Sequence, residues 1–125
     1  MSGGRIILVC GGRDYDNRME LYGALDALNF QQPILGLIHG GAKGADSLAG
    51  DWMRDKINDG HKDCWMAVYP AQWDLHGKAA GPVRNQQMLD QNPGIELVVA
   101  FPGGTGTADM VKRATAKGVK VIEVP

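Results

Sequence analysis

Three times along the chain a short apolar run ends in a pair of glycines. RIILVC precedes Gly11-Gly12, ILGLIH precedes Gly40-Gly41, and IELVVAF precedes Gly103-Gly104. Runs of this length, rich in β-branched residues and closed by glycine, predict strands buried on both faces, the habit of parallel sheets. Strands are predicted at 5–10, 34–39, 65–69, 95–101 and 119–124. Helices are predicted from about Asn17 to Leu28, from the Gly40 loop to about Asn58, from Pro82 to about Asp90, and from the Gly103 loop to about Lys117. Asn17 is the expected cap of the first, with Glu20 three residues on. Leu21, Ala24, Leu25 and Leu28 share one face of that helix, and Ala45, Leu48, Ala49, Trp52 and Met53 one face of the next. Residues 71–81 read as a loop with Gly77 and Gly81 as hinges, a candidate lid.

Regular β-α alternation with short connections predicts an α/β fold: a Rossmann-like three-layer α/β/α sandwich around a five-stranded parallel sheet, with residues 1–125 as one domain. In such sheets ligands bind beyond the carboxyl ends of the strands. Three of the four strand-to-helix junctions carry a glycine pair, and all project from that edge. The expectation is that several loops with bare backbone donors meet at one rim and face an anion. Eighteen glycines in 125 residues, about twice the usual share of roughly 7%, fit that design.

Composition narrows the partners. A net charge of −1 lacks the basic surplus of a duplex-binding domain, so nucleic acid is disfavoured. No run reaches membrane-spanning length. Two cysteines, Cys10 and Cys64, and an N-terminus without an apolar leader predict a cytoplasmic protein. His39, His61 and His76 have no ligand spacing, so no metal is expected, and no cofactor is called for. His39 ends a strand and reads as a packed structural histidine.

Several side chains are candidates for the rim. Pro102, Gly103, Gly104, Thr105, Gly106 and Thr107 open a helix, where unpaired N–H groups and a partial positive charge suit a phosphate. After the second strand, Gly40, Gly41, Lys43 and Asp46 repeat the design. Lys43 either pairs with a phosphate or is solvated, and Asp46 either receives a ribose hydroxyl or complements the helix dipole. After the first strand, Gly11, Gly12, Arg13 and Tyr15 offer a guanidinium clamp and a ring for a base, or serve as surface and cover residues. Arg84, placed in the first turn of its predicted helix against the local dipole, is expected to meet an anion, with Asn85 beside it. Trp73 either stacks on the ligand or seals the core edge.

Together, GGRDYDN at 11–17, HGGAKGADSLA at 39–49, AGPVRNQQML at 80–89 and FPGGTGTADM at 101–110 resemble the YspA-type, YpsA-related branch of the SLOG superfamily. More distantly, the chain is similar to the "lonely guy" phosphoribohydrolases and DprA-like proteins. The resemblance implies a Rossmann-like fold that binds a nucleotide or a nucleotide-derived, ADP-ribose-like ligand as a sensor or sequestering module. The alternative it implies is N-glycosidic hydrolysis of nucleoside monophosphates, with Arg84 and Asp109 as the catalytic pair. The hydrolytic members carry a glutamate where this chain has Met110, and Asp109 stands one residue early. The resemblance also makes a homodimer or higher homo-oligomer plausible, and the Trp52-Met53 helix is expected either to contribute to its interface or to be core.

Overall fold

The computed structural model describes residues 4–125. Residues 1–3, which belong to the N-terminus read above as leaderless, lie outside it. Five strands, β1 (Arg5–Cys10), β2 (Ile34–His39), β3 (Trp65–Val68), β4 (Ile95–Ala100) and β5 (Lys120–Glu123), form one parallel sheet in the order β3-β2-β1-β4-β5. The chain builds outward from β1 to β3, then crosses back to lay β4 on the other side of β1. That reversal between β1 and β4 is the switch point at which open α/β sheets leave a crevice.

The crossover also decides which helix covers which face. Helices α1 (Arg18–Gln31) and α2 (Ala45–Asn58) pack on one side, where Leu21, Leu25, Ala49, Trp52 and Met53 meet Ile7, Val9, Leu97 and Val99. Helices α4 (Ala80–Gln91) and α5 (Thr105–Ala116) cover the other, where Met88, Leu89, Met110 and Ala114 meet Leu8, Cys10, Val98 and Ala100. Adjacent residues of β1 and β4 point to opposite clusters, as a strand's period of two requires. The Rossmann-like α/β expectation therefore holds.

Local departures have local causes. Asn17 caps α1, its Oδ1 accepting from the Glu20 N–H at 3.0 Å, but the helix runs on to Gln31 and ends only at the extended backbone before Pro33. The predicted 71–81 loop contains a short helix, α3 (Trp73–His76), and a 3-10 turn over Gly77–Ala79, and α4 begins at Ala80 rather than Pro82. Gly81 is therefore a helical residue and no hinge, whereas Gly77 has a φ of +57°. Trp52 and Met53 are 5% and 0% exposed, so they are core and offer nothing to a dimer interface. Among the described residues, no helix is long and apolar enough to cross a membrane.

Candidate functional site

The loops after β1, β2, β3 and β4 enclose a cleft of about 730 Å³ at the carboxyl edge of the sheet, over the β1/β4 switch. Gly11 to Asp14, Gly40 to Ala42, Pro70, Ala71, Trp73, Lys78 and Gly104 to Thr107 form its walls. Val9, Cys10, Asp46, Gly81, Pro82, Arg84, Asn85, Met88 and Asp109 complete its lining.

The three glycine pairs serve different ends. The β1 loop leans on the β4 loop: the Gly12 N–H donates to the Pro102 carbonyl at 2.9 Å. A Cβ at Gly12 would stand 2.9 Å from that carbonyl oxygen, and one at Gly103 would stand 2.6 Å from the Gly12 nitrogen. The Gly12 carbonyl accepts from the N–H groups of Tyr15 and Ala45, both at 3.2 Å, which ties the start of α2 to the β1 loop. Bare backbone is needed in these two loops for close approach to each other.

The β2 loop is satisfied from within. The Asp46 carboxylate accepts from the Gly40 and Ala42 N–H groups at 3.1 and 3.2 Å, and His39 Nδ1 accepts from the Gly41 N–H at 3.0 Å. A carboxylate of the chain's own thus sits on the N–H groups that an anion at this loop would use. Asp46 is buried, and burial raises its carboxyl to about 6 against the opposing pull of the Ala42 N–H, the Arg84 charge and the Gly40 N–H. His39 accepts at Nδ1 and is therefore neutral. Burial first, then the charges of Arg54 and Arg84, push its imidazole down to about 4. It is the packed structural histidine that its place at a strand end predicted.

The β4 loop is different. Gly104 sits at the cap position of α5 with no side chain capping the helix, and the first α5 N–H to find a partner is that of Ala108, on the Gly104 carbonyl at 3.1 Å. The N–H groups of Thr105, Gly106 and Thr107 are left as open donors at the cleft, and no atom lies within 4 Å of a Cβ built at Gly104 or Gly106. The start of α5 thus turns three consecutive open N–H groups to the cleft.

Arg84 lies in the second turn of α4, not the first, beyond the reach of the helix dipole that its expected place would have opposed. Its Nη1 donates to the carbonyls of Gly40 at 2.6 Å and Tyr69 at 3.2 Å, and its Nε to Asn85 Oδ1 at 3.0 Å. It clamps the β2 and β3 loops while lining the cleft. Asn85, 5% exposed, passes the connection on: its Nδ2 donates to Asp109 Oδ2 at 2.9 Å and to the Gly106 carbonyl at 3.3 Å. Asp109 Oδ2 also accepts from Arg113 Nε at 2.8 Å, and Arg113 Nη1 reaches Gln86 Oε1 at 3.0 Å. Burial alone would raise the Asp109 carboxyl, but the hydrogen bonds from Arg113 and Asn85 and the nearby charges of Arg113 and Lys112 hold it below its usual range. It stays ionised at neutral pH with Oδ2 committed.

The structure brings together Gly11, Gly12, Arg13, Gly40, Gly41, Asp46, Trp73, Arg84, Asn85, Gly104, Thr105, Gly106, Thr107 and Asp109 around this cleft. Four candidates stand apart. Lys43 is exposed and outside the lining. Tyr15 packs its ring on Phe101, centroids 5.4 Å apart, within the α1/α2 side of the core. Pro102 and Gly103 make the contact between loops and do not line the cleft. Sequence reasoning missed Lys78, and it missed Gln86 and Arg113 behind Asp109. The i,i+4 spacing of Asp109 and Arg113 was a usable signal, but Gln86 is joined to them only across two helices.

Comparison with known proteins agrees with the motifs. A family model described as the YspA, cpYpsA-related SLOG family matches residues 5–76. The Gene 61 protein of Mycobacterium phage D29 is 34% identical over 121 residues, covering 94% of each chain. With the sheet order and the glycine loops already in view, these matches place the chain in the YspA, cpYpsA-related SLOG family.

Proposed function

We propose that the cleft binds a nucleotide or a nucleotide-derived, ADP-ribose-like ligand, and that the protein acts as a sensor or sequestering module for it. The observation that carries this reading is the start of α5, where Thr105, Gly106 and Thr107 present uncommitted N–H groups to a cleft that Arg84 also lines. Donors at a helix N-terminus favour a phosphoryl group through both hydrogen bonding and the dipole. The Thr105 and Thr107 hydroxyls add further donors, and Arg13 and Lys78 bring positive charge to the same walls. Half-exposed Trp73, at 51%, offers a face on which a base can stack. Asp46 and Asp109, both in the lining, are acceptors for sugar hydroxyls.

A second reading, hydrolysis of the N-glycosidic bond of a nucleoside monophosphate, is favoured by Asp109. Its carboxylate lines the cleft and is held ionised by Arg113 and Asn85. That state suits electrostatic support of positive charge developing on a sugar ring. In that reaction the bond from C1′ to the base breaks and a water oxygen bonds to C1′. The water's second proton leaves with the base.

One experiment tests both readings. The protein is incubated with nucleoside monophosphates, ADP-ribose and NAD, and thermal stabilisation and release of free base are followed together. Stabilisation without base release is the expected outcome. Base release that disappears in Asp109→Asn establishes the hydrolase instead, and no response across the panel removes both.

A further inference from the structure

Asp109 lines two cavities. Behind it, away from the cleft, a groove of about 410 Å³ opens between α4 and α5, walled by Gln86, Asp109, Lys112, Arg113, Ala116 and Lys117. Its charged lining is three cations against one carboxylate, and that carboxylate is already turned to Arg113. Lys117 is paired at the margin with Asp90, at 2.9 Å and part-exposed, where such a pair holds weakly. Arg113 gives Nε to Asp109 and Nη1 to Gln86 and keeps Nη2. Lys112 lines the same wall. The groove is thus a concave surface with surplus positive charge and donors to spare.

We propose that this groove is a second anion site, selective for a small oxyanion such as sulfate or a phosphoryl group, and that Arg113 couples it to the cleft. Asp109 lines both cavities, and the guanidinium holds it from the groove side. An oxyanion bound to Lys112, Arg113 and Lys117 competes with Asp109 for that guanidinium, and a guanidinium shared by two anions neutralises each less. Asp109 then carries more uncompensated negative charge into the cleft. The consequence, which rests on the phosphate reading of the cleft, is that the groove anion weakens a phosphoryl ligand there, and by linkage the reverse also holds. Occupancy of the groove itself does not depend on that reading.

The test is a sulfate titration of the wild-type protein followed by residue-resolved NMR, with the Asp109 carboxyl carbon titrated against pH with and without sulfate. The expected result is saturable shifts at Lys112 and Arg113 and an upward move of the Asp109 titration by about one unit. In Lys112→Ala/Lys117→Ala, two substitutions on the α5 surface, both effects should vanish. Any shifts at the Thr105, Gly106 and Thr107 amides should persist in that variant, because they report the cleft alone. Unchanged signals at Lys112 and Arg113, or shifts there that never saturate, overturn the proposal. Silent Thr105–Thr107 amides in Lys112→Ala/Lys117→Ala, where no groove anion competes, would remove the phosphate reading and leave the groove standing, and cleft shifts without groove shifts would do the opposite.

Discussion

Two glycines of the cleft, Gly40 and Gly104, do opposite work. A Cβ at Gly40 would overlap the Arg84 guanidinium and lie 3.0 Å from the Asp46 carboxylate. Gly40→Ala must therefore expel Arg84 from its two carbonyl bonds, and it should cost about 1–3 kcal/mol of stability in urea unfolding. Gly104 faces open space. Gly104→Val should change stability by less than about 1 kcal/mol and abolish ligand stabilisation by filling the approach to the α5 N–H groups. Retained affinity in that variant would show that the loop does not cradle phosphate. The buried pair behind these glycines gives a pH signature. His39, lowered to about 4 from an ordinary 6.5, stays neutral where the unfolded chain is protonated, so its contribution is lost as pH falls from 6.5 toward 4. Asp46, raised to about 6 from 3.8, keeps a proton that the unfolded chain releases, so its contribution is lost as pH rises from 3.8 toward 6. The two slopes oppose across a shared window. His39→Asn preserves an acceptor for the Gly41 N–H and removes one slope. Its unfolding midpoint should fall between pH 4 and 6, where the wild type is nearly level, and a level profile in the variant would contradict the Asp46 assignment.

At the scale of elements, the junction that matters is α4 against α5. Asn85 joins them from a buried position, accepting from Arg84 and donating to Asp109 and Gly106. Asn85→Ala leaves the Gly106 carbonyl without that donor and Asp109 with one hydrogen bond fewer, at a cost of about 1–3 kcal/mol. Denaturant unfolding measures that loss, and carboxyl NMR should show the Asp109 titration moving upward. Little of this junction was legible beforehand. The helices themselves were, because an apolar face at helical spacing and a cap such as Asn17 are written within a few residues. The ends were less so: α1 runs to Gln31, and Ala80 and Gly81 join α4 although glycine suggested a hinge. Glycine permits a turn but does not compel one, and packing of Ala80 at 1% exposure decides the matter.

At the scale of the molecule, β1 and β4 share their side chains between two cores on opposite faces of the sheet. Phe101, 1% exposed at the end of β4, joins the α1/α2 core, receives the Tyr15 ring and lies next to the loops of the cleft. Phe101→Ala should therefore cost about 3–5 kcal/mol and weaken ligand binding together with stability. A Tm that falls while affinity holds would separate the cleft from the core beneath it.

The order of the five strands and the four long helices, the parallel sheet and the edge on which the glycine loops meet were all determined by the sequence, whereas α3 was not. Hydrophobic periodicity, turn residues and βαβ handedness act over short stretches of chain and leave little choice. Tertiary structure alone decided which N–H groups stay open. Gly12 finds Pro102, Arg84 finds Gly40 and Asn85 finds Asp109, each across many residues of chain. Whether a backbone N–H is open to a ligand depends on which acceptor the fold brings to it, and three glycine pairs that look alike in sequence emerge with different answers.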